Sequence, residues 1–289
     1  MCPFYTKIIC ANINLSIIFF HVFTQTFINF FSCTVFMHEH FDLIDKVKRY
    51  GSFSRNEIKG LVITIIAFAF IISFRKWGEG ATFDFSYGLA SLFLSLIIVA
   101  ITVFTAQVGH RVLGLRHGYR IEFKPWYPGI LIGLIMVFLS RGVIWLLLPG
   151  GVILHHMAVH RLGYFRYGTN TLGISMVSFA GPLANIILAT IVKTPEIWFG
   201  IPLSQIPFFD QLVFFNWAYA LFALLPIPPL PGSTILFHSR LTYSFIFGSV
   251  AGYFVLIIAG IYSFFYAVLI GAIFWLIYYS LFERRFWKG

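Results

Sequence analysis

The sequence predicts an all-α polytopic membrane protein with about six to eight transmembrane helices. Composition makes the first case: over 289 residues, 59% are hydrophobic, 20% aromatic and only 10% charged, with a mean hydropathy of +0.88. No ordinary soluble domain has that balance. Apolar runs of about 20 residues, long enough to cross a hydrocarbon core as helices, recur along the chain. Apart from Arg141, the basic residues fall between those runs rather than inside them.

Taken in order, the first element is the least regular. Asn12 to Phe36 is apolar overall but carries Asn14, Ser16, His21, Thr24, Gln25, Thr26, Asn29, Ser32 and Thr34, which are costly if they face lipid. It reads as a marginal span, an uncleaved signal-like segment, or a product of an overlong start, since Met37 opens a polar lead-in from His38 to Lys59. The convincing spans follow at Gly60 to Phe74, Tyr87 to Val108, Trp126 to Leu148, Leu172 to Val192 and Asp210 to Leu225. The last apolar stretch, Tyr243 to Leu281, is too long for one crossing at 1.5 Å per residue and predicts two, turning near Ala259-Gly260 or Tyr262-Ser263. This divides the chain into an N-terminal segment, 1–59, a transmembrane core, 60–236, and a C-terminal transmembrane region, 237–289.

Charge placement orients the spans. Lys46, Lys48, Arg49, Arg55 and Lys59 precede the first convincing span, and Arg111, Arg116, Arg120 and Lys124 follow the second, which puts both groups in the cytoplasm despite Arg75 and Lys76. The net charge of +10 follows from these loops and from Arg284, Arg285 and Lys288. Basic residues flanking spans answer to topology and anionic headgroups, so no nucleic-acid partner is expected.

Three short motifs carry the chemistry. Phe104 to Arg111 reads Phe-Thr-Ala-Gln-Val-Gly-His-Arg, Phe179 to Asn185 reads Phe-Ala-Gly-Pro-Leu-Ala-Asn, and Leu221 to Ser233 reads Leu-Phe-Ala-Leu-Leu-Pro-Ile-Pro-Pro-Leu-Pro-Gly-Ser. In that order they resemble the site-2 protease family of zinc intramembrane metalloproteases, over roughly Arg55 to Leu236. The family pattern is a His-Glu-x-x-His helix, then Ala-Gly-Pro-x-x-Asn, then Asn-x-x-Pro-x-x-Pro-Leu-Asp-Gly. In such a helix the paired histidines hold the metal and the glutamate activates its water.

The resemblance therefore implies a site-2-protease-like core and assigns vestigial roles residue by residue. Ala106 stands at the first zinc-ligand position, Gln107 at the general base, and His110 at the second ligand. Pro231 takes the place of the aspartate ligand, and Ala223 that of the substrate-binding asparagine. Only His110 keeps its chemistry, because alanine and proline have no metal donor and an amide does not accept a proton near neutral pH. The register-holding Gly109, Pro226, Pro229 and Gly232 remain, and the last three are the binding residues that the resemblance implies. The expectation is an inactive pseudoprotease with no cofactor, the alternative being an active enzyme that requires zinc.

Other polar residues have plainer readings. His155, His156 and His160 follow the turn signal Leu148-Pro149-Gly150-Gly151; the last two have i,i+4 metal spacing, but interfacial histidines at headgroup level explain them better. His38-Glu39-His40 with Asp42 lies in a polar juxtamembrane stretch without zincin spacing, and Cys2, Cys10 and Cys33 form no Cys-x-x-Cys pair. Asn185 is expected to bond a neighbouring helix, and Arg141 to snorkel or cap a carbonyl. Gly181 and Ala184 allow close helix approach, while Gly181-Pro182 and the prolines 226 to 231 are expected to break helices. The loop from Gly150 to Asn170 allows a short β-hairpin around Met157 to Tyr167.

Together these observations predict a multi-pass protein of the cell membrane. Its partners are the bilayer and either a transmembrane client segment or an active relative. Its vestigial site lies near the cytoplasmic face.

Overall fold

The computed structural model describes residues 38–78, 84–156, 171–259, 261 and 263–283. The chain divides into two compact units, Met1–Lys48 and Arg49–Gly289. The described part of the first unit lies within helix α1, His38–Tyr50, so His38, Glu39, His40 and Asp42 stand on a helix. The cysteines, the Asn12 to Phe36 segment, His160 and the stretch Met157 to Tyr167 lie outside the described residues.

Within the second unit, α2 (Arg55–Ser73) begins at a capping box: Ser54 Oγ accepts from the Glu57 amide at 3.2 Å, and the Glu57 carboxylate accepts from the Ser54 amide at 3.1 Å. Asp84 caps α3 (Phe85–Arg116), accepting from the Tyr87 amide at 3.1 Å. The two helices pack side by side, and Thr64, Thr102 and Thr105 satisfy their hydroxyls on carbonyls one turn back, as apolar surroundings require.

The next stretch departs from the sequence reading. Residues 126–148 do not form one crossing. Strand β1 (Tyr119–Pro125) leads into a short helix α4 (Tyr127–Leu139) of about 20 Å, and the chain then returns without regular structure into strand β2 (Gly150–His156). β1 and β2 pair antiparallel from Tyr119↔His156 to Pro125↔Gly150, and Trp126 N–H donates to the Pro149 carbonyl at 3.3 Å. Both ends of the apolar run are therefore tied together at one level. The returning segment lies along α4: a Cβ at Gly133 would overlap the Leu146 carbonyl oxygen, and one at Gly129 would lie 2.9 Å from Leu148 Cβ. At the far end, a Cβ at Gly142 would sit 3.1 Å from both Arg75 Cβ and the Phe74 ring, so the excursion reaches the other end of α2.

This sheet is also not the hairpin anticipated within 157–167; its partners are separated by the whole excursion. Tyr-Arg-Ile-Glu-Phe-Lys-Pro alternates in the period of a strand, and Tyr119, Ile121 and Phe123 are the buried members. That alternation is legible in the sequence.

The turn after α4 explains Arg141. Gly142 N–H donates to Val137 O at 2.8 Å and Arg141 N–H to Phe138 O at 3.3 Å, a Schellman closure with Arg141 at φ 54. The Arg141 side chain is exposed, so its backbone rather than its guanidinium does the capping. A left-handed arginine costs about 1 kcal/mol that glycine does not. Arg141→Gly is expected to raise the unfolding midpoint of the detergent-solubilised protein, and an unchanged or lower midpoint would count against this account of the turn.

α5 (Thr171–Phe199) is a continuous helix through Pro182 and Pro195, which corrects the expectation that Gly181-Pro182 breaks it. Proline removes one helical donor, and neighbouring helices make that loss tolerable at membrane depth. α6 (Pro207–Ala223) returns beside it and ends at Leu224. The prolines that follow do stop a helix: residues 224–230 form a turn containing a cis Pro228-Pro229 bond, and α7 (Pro231–His238) restarts with Pro231 in its first turn. α8 (Arg240–Ile258) and α9 (Phe264–Tyr278) pack on each other, and the turn between them falls where the sequence placed it.

Among the described residues, five helical stretches are long and apolar enough to cross a membrane: 55–77, 85–116, 171–196, 240–258 and 264–282. The chain is an integral, multi-pass protein. Its main core gathers Phe68, Ile98, Val103, Ala106, Leu147, Phe215 and Tyr219 from α2, α3, the returning segment and α6.

Candidate functional site

The first and second motifs meet at the α3–α5 interface. Gly109 lies against α5 so closely that a Cβ there would come within 2.6 Å of the Ala180 carbonyl oxygen and 2.7 Å of Ala184 Cβ. His110, 3% exposed, hydrogen-bonds the Val177 carbonyl through Nδ1 at 2.8 Å, so Nδ1 carries the proton. The other edge of the ring lies on Gly181, where a Cβ would overlap Nε2. The glycine of Ala-Gly-Pro thus makes room for the histidine of the first motif. The small residues at 180, 181 and 184 permit the close approach anticipated from the sequence.

These contacts set a register. Gly109 faces 180 and 184, and His110 faces 177 and 181, so the helices run antiparallel. One turn farther along, Ala106 and Gln107 of α3 come level with Asn185 of α5. Gln107 is 2% exposed and its Oε1 has no hydrogen-bond partner. Asn185 is fully buried with neither amide atom partnered, which overturns the expectation that it bonds a neighbouring helix. Both lie where an unmade hydrogen bond is expensive.

The third motif is assembled from α6, the proline turn and α7. Ala223 and Pro231 are buried, and α7 starts tightly beneath the end of α6, because a Cβ at Gly232 would overlap the Leu224 carbonyl oxygen. Tyr243 Oη donates to that same carbonyl at 3.0 Å. Pro226 follows the end of α6, and Pro229 meets the sheet: a Cβ at Gly151 would overlap its carbonyl oxygen. α5 packs against both α3 and α7, and so joins the first motif to the third.

Zinc does not fit the residues present. His110 offers one imidazole whose Nε2 is closed off by Gly181, Ala106 and Pro231 have no donor, and Gln107 brings a neutral amide. Among the described residues no three His, Cys, Asp or Glu side chains converge as a metal site. His155 is exposed, with Nε2 3.3 Å from Glu122 Oε2 across the sheet.

Sequence reasoning missed a buried ion pair beside this site. Arg111 was counted as a loop cation, whereas it is only 7% exposed and pairs through Nη2 with Glu57 Oε1. The same oxygen accepts from the Phe123 amide of β1 at 2.8 Å. Arg111 Nη1 reaches the Gly51 carbonyl at 3.1 Å, and the guanidinium lies 3.8 Å over the Phe53 ring. The network ties the start of α2, the end of α3 and β1 together, and the i to i+3 pair Ser54/Glu57 was its only local signal. Just past α3, burial first and Arg116 second hold His117 below the ordinary imidazole value, and burial raises Tyr119.

The chain is similar to a Methanocaldococcus jannaschii protein named "Putative zinc metalloprotease", with 28% identity over 186 residues that span 64% of this chain and 85% of the relative. No protein-family model matches the chain, and no solved structure matches it.

Proposed function

We propose that this protein is a site-2-protease-like membrane protein that has lost peptidase activity and binds a membrane segment of a client or partner. The observation that carries the reading is the vestigial ligand set: among the positions that would hold or use zinc, only His110 retains a donor, and its free nitrogen faces Gly181. The similarity to a named zinc metalloprotease supports a protease-like scaffold. The proline turn against β2 supports retention of a binding surface, since non-helical backbone at membrane depth must be covered by protein, water or a bound chain.

Charge supports an orientation with this site near the cytoplasmic face, because Arg55, Lys59, Arg116, Arg120 and Lys124 cluster at the end of the molecule that carries the sheet. The competing reading is an active intramembrane zinc protease, which the relative's name favours.

Elemental analysis of protein purified in detergent without chelator decides between them, with His110→Ala as control. No zinc above the control is expected. About one zinc per chain, lost in the control, would overturn the inactive reading.

A further inference from the structure

Arg75 and Lys76 stand against the charge pattern that orients the chain, and Arg141 stands inside an apolar run. The fold brings all three to one place, the end of α2 away from the sheet. There the chain tightens into a 3-10 turn, Phe74–Trp77, which carries Arg75 and Lys76. The tip of the excursion meets it: a Cβ at Gly142 would sit 3.1 Å from Arg75 Cβ and 3.2 Å from the Arg75 amide nitrogen. Arg141 is the residue before. Beneath these cations the Phe74 and Phe138 rings meet edge-on with centroids 4.9 Å apart, and Phe70 lies 6.0 Å from Phe138, so an aromatic floor joins the two elements.

A second observation concerns Arg141 itself. It holds φ 54 at a turn position where glycine is unstrained, and its exposed side chain takes no part in the turn. Neither Arg141 nor Lys76 has a carboxylate partner among the described residues. Asp84 is at the same end, since its amide donates to the Trp77 carbonyl at 3.2 Å, but its carboxylate caps α3 by accepting from the Tyr87 amide at 3.1 Å. Glu79 lies outside the described residues. Leading away from the cations, Leu131, Ile135, Phe138 and Leu139 form one exposed apolar face of α4.

We infer that this corner binds an anionic phospholipid, with Arg141 and Lys76 on the headgroup phosphate and the acyl chains along the exposed face of α4. A guanidinium takes two phosphate oxygens at once, and an ammonium adds a point charge with its own donors. The depth is right, because the 3-10 turn ends a membrane-crossing stretch and places the cations at headgroup level. The continuity of cations with an apolar face selects a lipid over a soluble phosphate, which has no use for the second part. A zwitterionic headgroup carries its own cation and gains less from the three already there. The bland account has the cations merely snorkelling to water, and it gives no reason to keep an arginine in a left-handed turn. On the lipid account the strain is retained for the guanidinium. The inference goes beyond the proposed function and stands whether or not the protein cleaves a substrate.

The test is native mass spectrometry of the full chain in detergent, titrated with phosphatidylglycerol and with phosphatidylcholine of the same acyl chains. The wild type is expected to hold phosphatidylglycerol at least about tenfold more tightly, since each cation near an anionic headgroup is worth about fivefold. Arg141→Gly should lose about fivefold of that preference while its unfolding midpoint without lipid rises. Arg141→Lys should keep most of the preference, and Arg120→Gln, which removes an exposed cation on β1, should leave it unchanged. Equal retention of the two lipids, a preference that Arg141→Gly leaves intact, or an equal loss in Arg120→Gln overturns the inference. Displacement of the bound lipid by millimolar inorganic phosphate would overturn it too, and would assign the corner to a free anion.

Discussion

Glu57→Ala is expected to destabilise the protein by about 3–5 kcal/mol, because it strands Arg111 as an unpaired cation in a buried site. The loss is compounded at Phe123, whose amide gives up its acceptor, and at the start of α2, where half of the capping box disappears. The expected readout is a large drop in the unfolding midpoint of the purified protein. Glu57→Leu combined with Arg111→Leu should recover much of it, since replacing a whole buried pair with apolar side chains is far milder than removing one partner. A single-variant loss below about 1 kcal/mol would place Arg111 among ordinary surface cations and sink the network as a structural tie.

The second large effect is expected at Gly181. In an ordinary helix interior Gly→Ala stabilises by about 0.5–1 kcal/mol. Here the added methyl meets the His110 ring, so Gly181→Ala should instead destabilise by about 2–3 kcal/mol through overpacking. Combining it with His110→Ala should restore most of the loss, giving a coupling that two independent sites would not show. A stabilising Gly181→Ala would mean that α3 and α5 do not approach through this pair.

What the sequence disclosed follows its physics. The long crossings were legible because hydropathy over about 20 residues is a strong local signal, and length required a turn in the last apolar stretch, which the small and polar residues at 259–263 placed between Ile258 and Phe264. The register of the motifs was legible because Gly109, Pro226, Pro229 and Gly232 hold their spacing, and the structure gives Gly109 and Gly232 close backbone neighbours that explain why glycine stands there. Residues 126–148 were misread as a crossing because hydropathy cannot distinguish a helix that traverses from one that goes out and comes back. What decides the matter is a ladder between Tyr119 and His156, and pairing across that separation leaves little trace in local sequence. Arg111 was misread for a related reason: its partner Glu57 lies far away in the chain, so the residue looked like any other basic end of a span. Asn185 failed in the opposite sense, because a rule that usually holds predicted a partner that this arrangement does not provide.

The out-and-back excursion also bears on biosynthesis. To an insertion apparatus meeting residues 126–148 as they emerge, the segment carries enough apolar surface to be threaded through as a full pass, and every later helix would then enter with inverted sidedness. The finished arrangement requires the opposite parity, and the partner that enforces it, β2, is made only after the whole apolar run. The sidedness of α5 onward is thus the one left by a segment that goes out and comes back, its two ends joined by a ladder of seven residue pairs.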